Sequence, residues 1–195
     1  MFSGNRMVKR RPSRASKRNK TRKTRRRIRR QRGGNAPLLG LLDNADGVPI
    51  LNQENIEFHV KFEPASVKSA NEFGNTLTIE QSQPEPHTYW AAPPAGVMYT
   101  FVCWDPDSPA KSWLHWLVVN CKADTPATGD TAVDWSPPAP PRGSGLHRYI
   151  FGLFRQAGPV IPPKNMKSDG GFHMANFAAQ HQLTPLVYKG VRVNA

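Results

Sequence analysis

Apolar and polar residues alternate through Ile56-Glu57-Phe58-His59-Val60-Lys61-Phe62, the period of two that a half-buried β-strand requires. Gly74-Asn75 turns the chain into a second β-rich run at 76–80. Farther on the pattern changes. Residues 97–104 (VMYTFVCW) and 113–119 (WLHWLVV) are almost unbroken apolar runs with β-branched and aromatic content, and 149–154 is a third. Such runs predict strands covered on both faces. Many of the 19 prolines gather between them, at 84–94, 137–141 and 159–163, where a residue without an N–H belongs to a loop rather than a ladder. One helix is expected over about 172–182, with Ser168 or Asp169 near its start and Pro185 past its end. The pattern predicts a mainly all-β fold, a β-sandwich with long Pro-rich loops and little helix.

Charge changes this picture at one end only. The chain has 195 residues, with 27 Lys and Arg against 14 Asp and Glu, a formal net charge of +13. Sixteen basic residues and no acidic one fall within 1–32, which leaves 11 basic and 14 acidic residues, a net of −3, for the remainder. The segment 6–32 (RMVKRRPSRASKRNKTRKTRRRIRRQR) has too little apolar surface to offset the entropy of ordering it. Like charges at i,i+4 (Arg22/Arg26, Arg25/Arg29, Arg26/Arg30) oppose a helix until a polyanion neutralises them. The expected organisation is an extended basic arm over 1–35, disordered unless bound, and a linker or docking segment over 36–47. One folded domain over 48–195 follows. Gly33-Gly34 and Pro37 mark the first boundary, and Leu38-Leu39-Gly40-Leu41-Leu42 is the apolar part of the linker.

Guanidinium groups meet phosphate bidentately, so an arm in which Arg dominates Lys from Arg22 onward favours nucleic acid over acidic protein surfaces. The expected contacts are Arg10, Arg11, Arg14, Lys17, Arg18, Arg22, Lys23, Arg25, Arg26, Arg27, Arg29, Arg30 and Arg32. No aromatic residue follows Phe2 in the arm, so base stacking is not expected and binding should be independent of sequence. Nuclear localisation, mitochondrial targeting and a polybasic membrane patch are the competing readings. The arm is Arg-rich, Ser-containing and acid-free like a transit peptide, but it lacks an amphipathic apolar face. Phosphorylation of Ser13, Ser16, Thr21 or Thr24 would remove up to about two charges per site.

Several classes are disfavoured. No apolar run approaches the roughly 20 residues of a membrane helix, and residues 1–32 lack the apolar core of a secretory signal. Cys103 and Cys121 sit inside apolar runs and read as reduced core thiols rather than a disulfide framework. Neither C-x-x-C spacing nor a Walker or G-x-G-x-x-G glycine loop occurs, which disfavours zinc modules and nucleotide hydrolases, and no cofactor is expected.

Two loops concentrate the site-forming groups. The first, Trp104-Asp105-Pro106-Asp107-Ser108-Pro109, ends an apolar run and precedes Trp113 and His115 on the next. The second, Pro140-Pro141-Arg142-Gly143-Ser144-Gly145-Leu146-His147-Arg148-Tyr149, leads into another. Imidazole donors with Arg nearby suit an anion, glycines let backbone N–H groups approach it, and the carboxylates are expected to orient the imidazoles and raise their pKa.

DPDSP, then W-x-H-W-L-V-V-N, then PPRGSGLHRY, in that order, resemble the phosphatidylethanolamine-binding protein (PEBP) family, whose hallmarks are a DPDxP and a G-x-H-R segment. The likeness runs from roughly residue 56 to 188 and includes Phe172 and Phe177 ahead of Leu183 and Pro185. It implies a PEBP-like antiparallel β-sandwich with Greek-key connections, one or two short helices and a small anion pocket. Two Asp and two His could also ligate a metal, but the resemblance implies an anion site instead, and no metal is expected. Carried over by motif, that pocket comprises Asp105, Asp107, Pro109, Trp113, His115, Pro141, Gly145, His147 and Tyr149. In the family it takes phosphate-like head groups, acetate or cacodylate, and phosphotyrosine-like groups. The chain ends at Ala195, so the C-terminal helix that borders the pocket in mammalian members is not expected. The basic arm has no counterpart in the ordinary family domain.

An enzyme would use His147 or His115 as base with Asp105 to orient it, but Gly143-Ser144-Gly145 is not a G-x-S-x-G elbow, and no activity is expected. A structural and binding role ranks first, the body an interaction module and the arm its anchor among other subunits of a large nucleoprotein assembly. The resemblance extends to a mitochondrial ribosomal protein and to domains of large DNA viruses. A virion, or the nucleus or cytoplasm of a host, is the favoured setting, and the mitochondrion the alternative. The competing role is a regulator of signalling that binds a phospho-ligand or lipid head group, in the manner of a kinase inhibitor.

Overall fold

The computed structural model describes Met1 and residues 51–52, 55–62 and 76–195, of which 51–52 are described by backbone alone. The expectations placed on the arm and on the linker lie outside the described residues. The strands are β1 (Leu51–Asn52), β2 (Phe58–Lys61), β3 (Thr76–Leu77), β4 (His87–Trp90), β5 (Tyr99–Asp105), β6 (Trp113–Cys121), β7 (Asp130–Val133), β8 (Leu146–Arg155) and β9 (Thr184–Asn194), with one α-helix, α1 (Met174–Gln180), before β9.

Seven strands form one sheet in the order β1-β9-β8-β5-β6-β7, with β3 added to β9, while β2 and β4 pair as a separate ribbon. All pairings are antiparallel except β3 with β9. The fold is the expected mainly-β, two-sheet architecture. The near-continuous apolar runs have a direct explanation. On one face of the large sheet, Phe101, Cys103, Trp116, Val118, Phe151 and Leu153 pack against Phe58, Val60 and Trp90 of the ribbon. On the other, Val102, Trp104, Leu114, Leu117, Ile150 and Phe154 pack against Met174, Phe177 and Ala178 of α1. Strands β5, β6 and β8 are therefore covered on both sides and have no polar face to alternate with. Phe101 is the hub of the first layer, with Trp90 stacked at 5.7 Å and Trp116 edge-on at 4.8 Å. Each such pair is worth about 0.5–1.5 kcal/mol beyond its buried area.

Two sequence expectations are corrected. The β-rich run at 76–80 pairs with β9 only at Thr76 and Leu77; the Thr78 and Gln81 side chains then bond each other's backbone N–H groups and start a 3-10 turn at Glu80–Ser82. The helix is shorter than 172–182 because Gly171 has φ +78 and His173 is extended before it, while Gln182 at φ 52 ends it. Pro185 lies past the helix end as expected, inside β9, at an irregularity opposite Phe154 where the ladder already shifts register. Cys103 and Cys121 are buried free thiols, and burial pushes both pKa values up. Among the described residues no helix is long and apolar enough to cross a membrane, and no group of three or more His, Cys, Asp or Glu side chains could hold a metal ion.

Candidate functional site

The end of β5 and the starts of β6 and β8 meet at one end of the sheet, where Asp105 pairs with Trp113 and Trp104 with Ile150. Pro106 turns the chain directly after β5, and Asp105 Oδ1 accepts the Asp107 backbone N–H at 2.7 Å, an Asx turn that fixes the carboxylate. Asp105 Oδ2 accepts from His147 Nδ1 at 2.7 Å, with both side chains almost fully buried. Arg148, one residue on, points to the opposite side of β8. Its Nε and Nη2 donate to Asp107 Oδ2 and Oδ1 at 2.7 and 2.6 Å, and its backbone N–H adds a third bond at 2.9 Å. Two carboxylates in the DPD turn thus clamp two adjacent residues of β8, one on each face.

His115 is positioned by an irregularity. Cys103 pairs with Trp116 and Trp104 with Leu114, so His115 is the extra residue of a β-bulge, opposite no residue of β5. Bulges of this kind re-aim a side chain. Here the imidazole turns toward Tyr149, ring centroids 5.0 Å apart and edge-on. His115 Nδ1 donates to the Ser136 carbonyl at 2.6 Å, and the His115 carbonyl accepts the Ser136 N–H at 2.8 Å. That bond fixes the tautomer and leaves Nε2 as the available nitrogen. Trp113 is held by Ser168, whose hydroxyl accepts from the indole Nε1 at 2.8 Å and itself donates to the Leu114 carbonyl.

These elements enclose a cavity of about 340 Å³ lined by Asp105, Ser108–Ala110, Trp113, His115, Ser136, Pro137, Ala139–Pro141 and Tyr149, at the small end of ligand-site volumes and mostly apolar with a few convergent polar groups. Of the nine motif residues, Asp105, Pro109, Trp113, His115, Pro141 and Tyr149 line it. Three do not. Asp107 faces Arg148, beside Leu146 and Arg192, in a separate depression. Gly145, at φ +84, is a turn residue whose carbonyl accepts the Ala195 N–H. His147 lies behind Asp105, its Nε2 2.8 Å from Ser144 Oγ. A larger cavity of about 480 Å³, between Glu85–Thr88 and Trp116, Pro126, Asp134 and Trp135, contains none of the motif residues.

The electrostatics differ from the expectation. Burial lowers the His115 pKa, outweighing the Ser136 carbonyl and the Asp105 charge that work to raise it; the carboxylate does not win. The expected Arg is not found in the wall: Arg148 is committed to Asp107, and among the described residues no Lys or Arg lines the cavity. Burial pushes the Asp105 carboxyl above its usual range despite the His147 bond and charge that pull it down. Burial would also raise Asp107, but the hydrogen bonds and charge of Arg148 together hold it below the usual range. Burial, with the Asp105 charge, keeps the Tyr149 phenol protonated.

Sequence reasoning passed over Ser136 and weighed Ser144 only as a nucleophile, which it rejected. Ser136 acts through its carbonyl, which no side-chain pattern reveals. Ser144 completes a row Asp105–His147–Ser144, the order of a hydrolase relay. Its hydroxyl also lies 2.6 Å from the Pro141 carbonyl, and neither it nor His147 reaches the cavity, so the row ties the PPRGSG loop to the wall.

Residues 63–190 match the model of the phosphatidylethanolamine-binding protein family, and the chain belongs to that family. Its fold is similar to that of a carboxypeptidase Y inhibitor solved in complex with the cognate proteinase (20% identity, TM-score 0.59, covering 71% of this chain and 82% of the other). It is similar as well to phosphatidylethanolamine-binding proteins from Plasmodium vivax (19%, 0.56, 71% and 84%) and Plasmodium falciparum (18%, 0.57, 81% and 95%).

Proposed function

We propose that this chain is a non-enzymatic binding protein whose PEBP domain serves as an interaction module and whose Arg-rich arm anchors it to nucleic acid in a large assembly. The partition of charge carries this reading: sixteen basic and no acidic residues in 1–32 against a net of −3 elsewhere. A slightly acidic domain has no electrostatic reason to hold a polyanion by itself, so the arm is the element that does. A virion is the setting we favour, with the mitochondrial ribosome next. The test is a salt titration of duplex binding by the full chain and by a chain lacking residues 1–32. The expected log–log slope is about −0.9 per phosphate neutralised; a shallow slope, or binding untouched by the deletion, refutes the anchoring role.

The cavity supports a second reading, a regulator that holds a phosphate-type ligand against Asp105, His115 and Tyr149. Both readings are non-catalytic. Ester hydrolysis that vanishes in Ser144→Ala would overturn them and make the Asp105–His147–Ser144 row an active site.

A further inference from the structure

We infer that the cavity takes a singly charged oxyanion together with a proton, which settles on His115 Nε2. The inference rests on the reading of the cavity as an oxyanion site and goes further, to the charge state of the ligand. The argument starts from the tautomer. With Nδ1–H donated to the Ser136 carbonyl at 2.6 Å, the neutral ring presents a lone pair at Nε2. A lone pair repels an oxyanion. The same nitrogen becomes a donor, and the ring a cation, only when a proton is added.

Among the described residues that line the cavity no other group supplies a positive charge; the Ser108 and Tyr149 hydroxyls can donate a hydrogen bond but stay neutral. The groups facing His115 are Asp105 from β5, Tyr149 and His147 from β8, and the Ser136 carbonyl from the segment after β7. Asp105 is an acceptor already engaged by the Asp107 amide and by His147. The nitrogens of His147 are engaged by Asp105 and Ser144, behind the cavity wall. Lys111 and Arg142 belong to the loops around the cavity but are exposed and do not line it. A buried anion needs a compensating charge, and among the described residues the wall offers one carboxylate and, once protonated, one imidazolium. A second negative charge on the ligand would have no partner among these groups. A phosphodiester, a monoanion at all ordinary pH, fits this wall. A phosphomonoester, largely dianionic above its second pKa of about 6, must take up a further proton to do so.

The experiment uses the full chain, with dimethyl phosphate and methyl phosphate as probes, followed through the Trp113 indole and His115 imidazole NMR signals over about pH 5.5–8.5, the range in which an imidazole and a phosphomonoester titrate. For dimethyl phosphate the Kd should rise about tenfold per pH unit above the His115 pKa, the slope for uptake of one proton. The Lys and Arg side chains of the arm do not titrate in this range, so binding there gives this diester no slope. At the alkaline end dimethyl phosphate should bind more tightly than methyl phosphate, and the preference should shrink as pH falls. His115→Gln, which places an amide donor near Nε2, should bind dimethyl phosphate with a flat pH profile. Flat binding by the wild-type chain, or tighter binding of methyl phosphate at the alkaline end, overturns the inference and leaves the oxyanion site standing. No response of Trp113 or His115 to either ester at any pH overturns the oxyanion site and the inference with it.

Discussion

His115 and Ser136 hold each other twice, the imidazole Nδ1 donating to the Ser136 carbonyl at 2.6 Å and the Ser136 N–H donating to the His115 carbonyl at 2.8 Å. The clip joins the bulge of β6 to the Pro-rich segment that forms one wall of the cavity. It holds the ring in a site where burial favours the neutral form. With the folded pKa below the unfolded value of about 6.5, the unfolded chain binds the proton first as pH falls. The stability contribution is therefore complete above that value and is lost as pH drops from there through the folded pKa. Thermal melts of the wild type and His115→Gln should differ most near neutral pH, and the gap should narrow on acidification. A gap that does not change with pH contradicts the assignment.

Arg148 and Asp107 make the opposite case. Three bonds from one arginine hold the Asp107 carboxyl below its usual range, overriding the burial that would raise it. That contribution is present above the ordinary carboxylate pKa of 3.8 and is lost as pH falls through the lower folded value. Arg148→Met, which leaves a half-buried carboxylate with only the backbone donor, should cost about 1–3 kcal/mol in urea unfolding near neutral pH. Arg148→Lys should recover part of it, since an ammonium cannot make the forked pair. Equal stability of Arg148→Met and the wild type would mean that the pair contributes nothing.

Much of this arrangement was legible in the sequence. Alternation located β2, and the unbroken apolar runs located β5, β6 and β8, because strands covered on both faces leave no other pattern. The DPD and G-x-H-R segments located the end of the sheet where the cavity lies. The division of labour within those segments was not legible. Asp105 and Asp107 are chemically identical and two residues apart, yet one faces the cavity and the other faces Arg148, a consequence of the turn at Pro106 and of the alternation of β8. The sign of the His115 shift was equally hidden, because spacing shows a nearby carboxylate but not the depth of burial. Ser136 was out of reach, since its part is played by a carbonyl.

The row Asp105–His147–Ser144 separates buried from exposed contributions. His147 is almost fully buried between its two partners, whereas Ser144 belongs to an exposed loop. His147→Ala removes one of the two hydrogen-bond donors of a buried carboxylate and opens a void, a loss of about 1–3 kcal/mol. Ser144→Ala should cost under about 1 kcal/mol, the worth of an ordinary hydrogen bond near solvent. Denaturant midpoints of the two variants measure this directly. A Ser144→Ala loss as large as that of His147→Ala would show that the loop, not the carboxylate, depends on the row.

Gly170 sets the position of the opposite wall. It bridges to Trp113, and a Cβ on it would lie 2.5 Å from Ala110 Cβ and 2.8 Å from the Ala110 carbonyl oxygen. Ala110 lines the cavity and is tied to the same segment by the Gly171 N–H, which donates to its carbonyl. A methyl group at 170 therefore has to push the loop that runs from Ser108 to Ser112 into the cavity mouth, against backbone that has no soft end to yield. Gly170→Ala should destabilise the domain by about 1–3 kcal/mol, the usual cost of overpacking, and should weaken dimethyl phosphate binding at every pH without altering the pH slope. Gly158→Ala is the matched control, since a Cβ there meets nothing within 4 Å and its φ is not in the left-handed region. That variant should leave both stability and binding unchanged. Unaltered binding in Gly170→Ala, with the expected loss of stability, would show that the Ser108–Ser112 loop does not shape the part of the cavity that the ligand occupies.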